Sequence, residues 1–169
     1  MDLDKFEGLV LEYEKYAFNI AFRICNNIED AKDITQDAFI KAYKNFDKFK
    51  GNSKFSTWFY RIVTNTALDF VRKNKENLNY EENIDYEVKL NENHVEKELE
   101  KKELNEVLRE SINELKLNYK TMIVLRDLNG LSYEEISNIT NESLGTVKSR
   151  INRGRKELQK ILKRKGVKV

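Results

Sequence analysis

Apolar positions set the outline of this chain. From Leu3 to Cys25 they fall at Phe6, Leu9, Val10, Tyr13, Tyr16, Ala17, Ile20, Ala21 and Ile24, the spacing of a helix with a wide buried face. Asn26-Asn27 ends it. A second helix starts near Glu29, where Glu29 and Asp30 suit the positive end of the helix dipole. Its inner stripe runs through Ala31, Ile34, Ala38, Ala42 and Phe46. Gly51-Asn52-Ser53 reads as a loop, and Ser56 or Thr57 as the cap of a third helix reaching about Asn74. In that helix Phe59, Ile62, Val63, Ala67, Phe70 and Val71 point mostly inward.

Between Glu76 and His94 the periodicity fades and Asn and Glu dominate, which predicts a linker, extended or only partly ordered. Helical spacing returns from about Val95 through Leu99, Leu104, Val107, Leu108, Ile112 and Leu115. A further helix spans Tyr119, Met122, Ile123, Leu125 and Leu128, and Asn129-Gly130 stops it as a C-terminal cap does. Next, Ser132 and Glu135 have the spacing of a capping box, and Ile136 and Ile139 give the helix they open its apolar side. Asn141 tolerates a left-handed backbone, and Ser143 caps the last helix. That helix carries Leu144, Val147, Ile151, Leu158 and Leu162 on one stripe. The expected architecture is all-α: three or four helices, a linker, then four helices ending in a helix-turn-helix.

The polar side of that last helix is the chemically informative one. Ser149, Asn152, Arg153 and Lys156 lie opposite the stripe, with Lys148, Arg150 and Arg155 on the flanks. Residues 143–168 hold ten Lys or Arg against one Glu. Like charges three and four apart destabilise an isolated helix, and a polyanion relieves that. Arg and Lys reach guanine acceptors, Asn and Ser read other base edges, and flanking cations meet phosphates. A helix-turn-helix places its second helix in the major groove, so nucleic acid is the expected partner.

Charge divides the chain further. Net charge is +2 overall, but residues 77–114 carry 12 acidic and 5 basic residues and residues 115–169 carry 5 and 13. An acidic middle therefore separates a mixed N-terminal part from a basic C-terminal part. No run approaches a membrane span, and no secretory signal pattern opens the chain. Cys25 is the single cysteine and His94 the single histidine. That excludes an internal disulfide and a cysteine zinc cluster, and leaves no metal or catalytic constellation. Cys25 falls on the apolar side of its helix, as a buried, inert thiol does. A reducing cytoplasm is the expected compartment.

Two surfaces stay open on residues alone. Asp33, Gln36, Asp37 and Ile40 share one face of the second helix, and by themselves read as a solvated patch with one exposed isoleucine. From Phe46 to Arg61 aromatics and cations interleave, which suits single-stranded nucleic acid. For Phe55 and Phe59 the core explains the ring. For Lys48, Phe49, Asn52 and Lys54 both explanations stand.

Several stretches together resemble the extracytoplasmic-function group (group 4) of the sigma-70 family of bacterial sigma factors. Asp30-Ala-Lys-Asp-Ile-Thr-Gln-Asp-Ala-Phe-Ile-Lys-Ala-Tyr is similar to that family's region-2 helix. Phe55-Ser-Thr-Trp-Phe-Tyr-Arg-Ile is similar to its promoter-melting segment. Leu131-Ser-Tyr-Glu-Glu-Ile and Gly145-Thr-Val-Lys-Ser-Arg-Ile-Asn-Arg-Gly-Arg resemble its region 4. The resemblance implies region 2 over residues 1–75, an acidic linker over 76–98 threading the polymerase's RNA path, and region 4 over 99–169. It implies that Asp33, Gln36, Asp37 and Ile40 dock on the clamp coiled coil of core RNA polymerase, with the flap as a second contact. Lys48, Phe49, Asn52, Lys54, Trp58, Arg61 and Asn65 would capture and melt the −10 element. Lys148, Ser149, Arg150, Asn152, Arg153, Arg155 and Lys156 would engage the −35 element.

The same resemblance implies a binding and melting factor with no cofactor, not an enzyme. It further implies an anti-sigma partner, often membrane-tethered, holding the chain at the inner face of the membrane without direct insertion. Departures from the family pattern are Lys116 in place of a proline, Asn141-Glu142 in place of a glycine and an apolar residue, and Asn152. A helix-turn-helix regulator that binds duplex DNA without polymerase is the alternative. A small hydrolase is a remote one, given one histidine, one cysteine and no phosphate loop.

Overall fold

The computed structural model describes residues 3–74 and 95–168, with side chains from Phe6 in the first stretch and from Lys102 in the second. All regular structure among them is helical: α1 (Leu3–Cys25), α2 (Ile28–Asn45), a 3-10 turn (Phe46–Lys48), α3 (Phe55–Lys73), α4 (Val95–Glu114), α5 (Leu117–Ile123), a π-helical segment (Val124–Leu128), α6 (Tyr133–Thr140) and α7 (Leu144–Arg164). The expected linker lies largely outside the described residues. Helix α4 opens at Val95, inside the stretch assigned to it.

Helices α1, α2 and α3 pack on one another as an N-terminal unit. Ala17, Ile20, Ala21 and Ile24 of α1 meet Ala31, Ile34, Ala38 and Ala42 of α2, all buried. Small residues on α2 let the two helices approach closely. Phe59 of α3 fills the centre at 0% exposure, its ring 4.5 Å from Phe39 and 5.8 Å from Phe55. Phe39 lies off the expected inner stripe, yet it is buried. The backbone turns between α1 and α2 at Asn26, with φ 56°. Asn27 then caps α2 by accepting from the Asp30 amide at 2.9 Å. The Cys25 thiol is buried, and desolvation pushes its pKa up to about 11, consistent with an inert side chain.

The cap of α3 differs from expectation. Lys54, not Ser56 or Thr57, holds the N-cap position, without a side-chain cap. Its carbonyl accepts from the Trp58 amide at 3.2 Å. The helix starts early because Phe55 already packs with Phe59 and Tyr13, which places Ser56 and Thr57 inside the first turn, Thr57 buried at 6% exposure.

In the C-terminal unit α7 crosses α5, with α4 and α6 on either side. Gly154 makes that crossing possible. A Cβ there would sit 3.2 Å from Ile123 Cγ1 and 3.3 Å from Tyr119 Cβ, tighter than nearly all real Cβ contacts. Lys116, where the family pattern has proline, caps α5 in an extended conformation, and its carbonyl accepts from the Tyr119 and Lys120 amides at 2.9 Å each. After α5 the ladder widens, with the Asn129 amide bonding the Val124 carbonyl at 3.1 Å, five residues back. The Asn129 side chain bonds the same carbonyl at 2.7 Å, and Gly130 turns the chain at φ 68°. The capping box at Ser132 and Glu135 forms in full. Asn141 takes the left-handed conformation at φ 56°, and Ser143 caps α7 by accepting from the Thr146 amide at 3.1 Å. The expected stripe of α7 needs one correction: Leu144 is exposed, because the first turn overhangs the core, and Ile161 and Gly154 are buried instead.

The two units also pack on each other. Helix α3 lies against α6, and α1 against α5 and the π-helical segment. Lys54 faces Glu135 across this seam at 3.8 Å.

Candidate polymerase and nucleic-acid interfaces

Three surfaces carry the residues singled out from sequence. The first is the outer face of α2. Burial of Ala31, Ile34, Thr35, Ala38 and Phe39 turns Asp33, Gln36, Asp37 and Ile40 outward together, and all four are exposed. Asp37 pairs with Lys41 one turn on, at 2.7 Å with both side chains about half exposed. Such a pair contributes little in water. Ile40 is 47% exposed and Tyr43, three residues on, is 49% exposed. Tyr43 completes the apolar part of this face and was missed, although its i+3 spacing from Ile40 was legible.

The second surface is built by the 3-10 turn, the loop after it and the start of α3. Gly51 turns the loop at φ 71°. Phe49 and Trp58 are half buried, their rings 5.2 Å apart, and Phe46 stands edge-on to Trp58 at 6.4 Å. Phe55 anchors the group, edge-on to Phe49 at 5.8 Å. The aromatic explanation is therefore split within one cluster. Phe59 is core, Phe55 is its half-buried rim, and Phe49 and Trp58 present partial faces to solvent. Lys48, Asn52, Lys54, Arg61 and Asn65 surround them, all exposed. The Lys48 ammonium donates to Asn45 Oδ1 at 2.9 Å. Tyr60 is buried, and desolvation pushes its phenol up to about 12, so it stays protonated.

The third surface is α7. Lys148, Ser149, Asn152, Arg153 and Lys156 are exposed along one side of it. Ser149 Oγ donates to the Thr146 carbonyl at 3.0 Å. Two of the expected cations are tethered. The half-buried Arg150 guanidinium pairs with Glu142, which explains how an acidic residue sits in this turn. Arg155 donates through Nε to Asp127 Oδ2 at 3.0 Å and pairs with the same carboxylate through a second nitrogen. Arg126 stacks over the Tyr133 ring at 4.8 Å and donates to the Leu131 carbonyl at 2.7 Å. Lys148 approaches that ring at 6.0 Å. Asp127, Arg126 and Tyr133 thus fix the base of the surface. No sequence signal linked them to α7, because Asp127 and Arg155 are 28 residues apart.

Among the described residues no group of His, Cys, Asp and Glu is placed to hold a metal ion. No described helix is long and apolar enough to cross a membrane.

Known proteins share both halves of this arrangement. The family described as sigma-70 region 2 matches residues 9–77, and the family described as sigma-70 region 4 matches residues 105–158. The chain is 38% identical to the ECF RNA polymerase sigma factor SigW of Bacillus subtilis, over 96% of this chain and 91% of that protein. It is 36% identical to the ECF RNA polymerase sigma-E factor of Haemophilus influenzae, over 94% of this chain and 87% of that one. In fold it is similar to the sigma factor RpoE of Bartonella quintana, with a TM-score of 0.72 and 24% identity, covering 95% of this chain and 98% of that one. With both regions matched in order on an all-α chain, the protein belongs to the extracytoplasmic-function group of sigma-70 family transcription initiation factors.

Proposed function

We propose that this sigma factor brings core RNA polymerase to promoters by gripping the −10 and −35 elements with separate helices, and opens the −10 region as it binds. The observation that carries the reading is the second surface. Partly exposed Phe49 and Trp58 stand among exposed Lys48, Asn52, Lys54, Arg61 and Asn65. Flipping a base from a duplex costs a few kcal/mol of stacking. Ring faces that restack the base, with amide and cationic groups beside them, offset that cost without ATP. Residues 1–75 act as the −10 and polymerase-docking unit, and residues 99–169 as the −35 unit. The linker over 76–98 joins them through the polymerase's RNA path. Run-off transcription with core enzyme tests this directly. A promoter-specific transcript is expected, whereas a regulator that only binds duplex DNA would give none.

The outer face of α2 docks on the clamp coiled coil, with Asp37 exchanging Lys41 for a polymerase cation. Asp37→Arg places a like charge beside Lys41 and opposite that partner. It is expected to weaken core-enzyme binding tenfold or more, with helicity unchanged by circular dichroism. Undiminished affinity for core enzyme would remove α2 from the docking surface.

On α7, Arg153 is exposed while Arg150 and Arg155 are tethered, so Arg153 is the arginine free to read a base, beside Lys148, Ser149, Asn152 and Lys156. Arg153→Ala is expected to cost about 1–3 kcal/mol on a specific −35 duplex and much less on random DNA. Equal losses on both would make Arg153 a phosphate contact.

An anti-sigma factor is the expected inhibitor, tethered at the membrane. The structurally similar Bartonella quintana RpoE was solved in complex with the anti-sigma factor NepR, which supports a partner of that kind here.

A further inference from the structure

The turn that joins α6 to α7 carries an acidic residue beside a surface that is otherwise basic. Its backbone needs no help from that side chain. The Glu142 amide donates to the Ser137 carbonyl at 3.2 Å, and Ser137 Oγ donates to the Glu142 carbonyl at 2.5 Å. Asn141 makes the bend in its left-handed conformation, and Ser143 caps α7. The Glu142 carboxylate is thus left over from the making of the turn. It pairs with Arg150, eight residues on.

The two carboxylate oxygens are unequally served. Oε1 accepts from the Arg150 guanidinium, whereas Oε2 is buried with no hydrogen-bond partner. The Glu142 and Arg150 side chains are only 25% and 31% exposed. A pair arranged for stability alone fills both oxygens, as Asp127 does with Arg155. Pulling Arg150 away leaves a partly buried carboxylate unpaired, which costs far more than the loss of an exposed ion pair. Arg150 is therefore not free to follow a competing anion. It lies next to Ser149 and three residues before Arg153, both exposed, so a guanidinium freed here stands within reach of the same duplex.

We infer that Glu142 is a positioning residue of the DNA-reading surface: it holds the Arg150 guanidinium off the phosphates and so limits the sequence-independent part of the grip. The inference rests on the reading of α7 as the −35 helix. Phosphate contacts strengthen binding to every sequence alike, and each one steepens the salt dependence on B-DNA by about 0.9. Withholding one cation makes the affinity lower and less sensitive to salt. It leaves Lys148, Ser149, Asn152, Arg153 and Lys156 to hold the duplex.

The test measures binding of the full chain to a random-sequence duplex as salt is raised. Glu142→Ala releases Arg150. Affinity is expected to rise about five- to tenfold at 0.1 M salt, and the slope of log affinity against log salt to steepen by about 0.9. The double variant Glu142→Ala with Arg150→Ala keeps the net charge of the wild-type pair, and its affinity and slope are expected to match wild type. A turn that merely came loose would weaken binding without steepening the slope. If the double variant instead falls below wild type, with a slope shallower by about 0.9, Arg150 already touches a phosphate and the inference is overturned. A rise that persists in the double variant, or no change in Glu142→Ala, overturns it as well. Glu142→Gln keeps the side-chain shape and a weaker acceptor. It is expected to raise affinity about two- to threefold, and it decides the question if the alanine variant does not fold. Failure of the −35 reading shows separately, as a wild-type chain that binds a duplex from a promoter it transcribes no better than a random one.

Discussion

Phe59→Ala is expected to destabilise the N-terminal unit by about 3–5 kcal/mol, the range for emptying a buried aromatic site. Phe59 is fully buried, and its ring meets those of Phe39, Phe55 and Tyr60 at 4.5, 5.8 and 6.4 Å. Backbone around the void cannot collapse easily, because α1, α2 and α3 all converge there. Aromatic pairs add about 0.5–1.5 kcal/mol beyond area, so a conservative Phe59→Leu should recover only part of the loss. Trp58 adjoins the site and is the single tryptophan of the chain. Its fluorescence therefore follows urea unfolding at the residue proposed to restack the flipped base. A urea midpoint within error of wild type would show that Phe59 is not the keystone of this unit. On the proposed function, the expected consequence is a loss of −10 opening larger than any loss of −35 binding.

Gly154→Val is expected to cost the C-terminal unit about 2–3 kcal/mol, the upper range for overpacking a filled core. Glycine inside a helix normally costs about 1 kcal/mol relative to alanine, so this position would be improved by any side chain if space allowed. It does not. The missing Cβ would press on Ile123 Cγ1 and Tyr119 Cβ at 3.2 and 3.3 Å, and valine adds two further methyls at that point. Relief requires α7 to lift from α5, and Asn152 and Arg153 move with it. For a unit of this size the loss corresponds to a fall in Tm of roughly 10–20 °C. An unchanged Tm with intact binding to a −35 duplex would show that the crossing has slack.

Much of this molecule is legible from sequence, and the reason is local chemistry. The Ser132–Glu135 capping box, the left-handed Asn141 and the Ser143 cap depend on residues within a few positions of each other. Sequence spacing contains all of that information. The outward face of α2 is legible for the same reason, since small buried residues on one side fix what lies on the other. The places where expectation fails depend on tertiary packing. Phe39 and Ile161 are buried because a neighbouring helix happens to cover them. Leu144 is exposed because no neighbour covers the first turn of α7. The cap of α3 moves to Lys54 because Phe55, packed on Phe59, already lies in the helix and places Ser56 and Thr57 inside its first turn. Among the candidate site residues, the tethering of Arg150 by Glu142 and of Arg155 by Asp127 is invisible in a pattern that places both arginines on the flanks of the polar face without naming their partners. The burial of Lys120 on α5, at 7% exposure, is the clearest case, since it depends on how two separately recognisable units come to rest on each other.

Glu135 divides its labour between two oxygens. Oε2 accepts from the Ser132 amide at 2.9 Å, while Oε1 faces the Lys54 ammonium. The capping-box bond that opens α6 is therefore independent of the contact with α3, and loss of Lys54 leaves it in place.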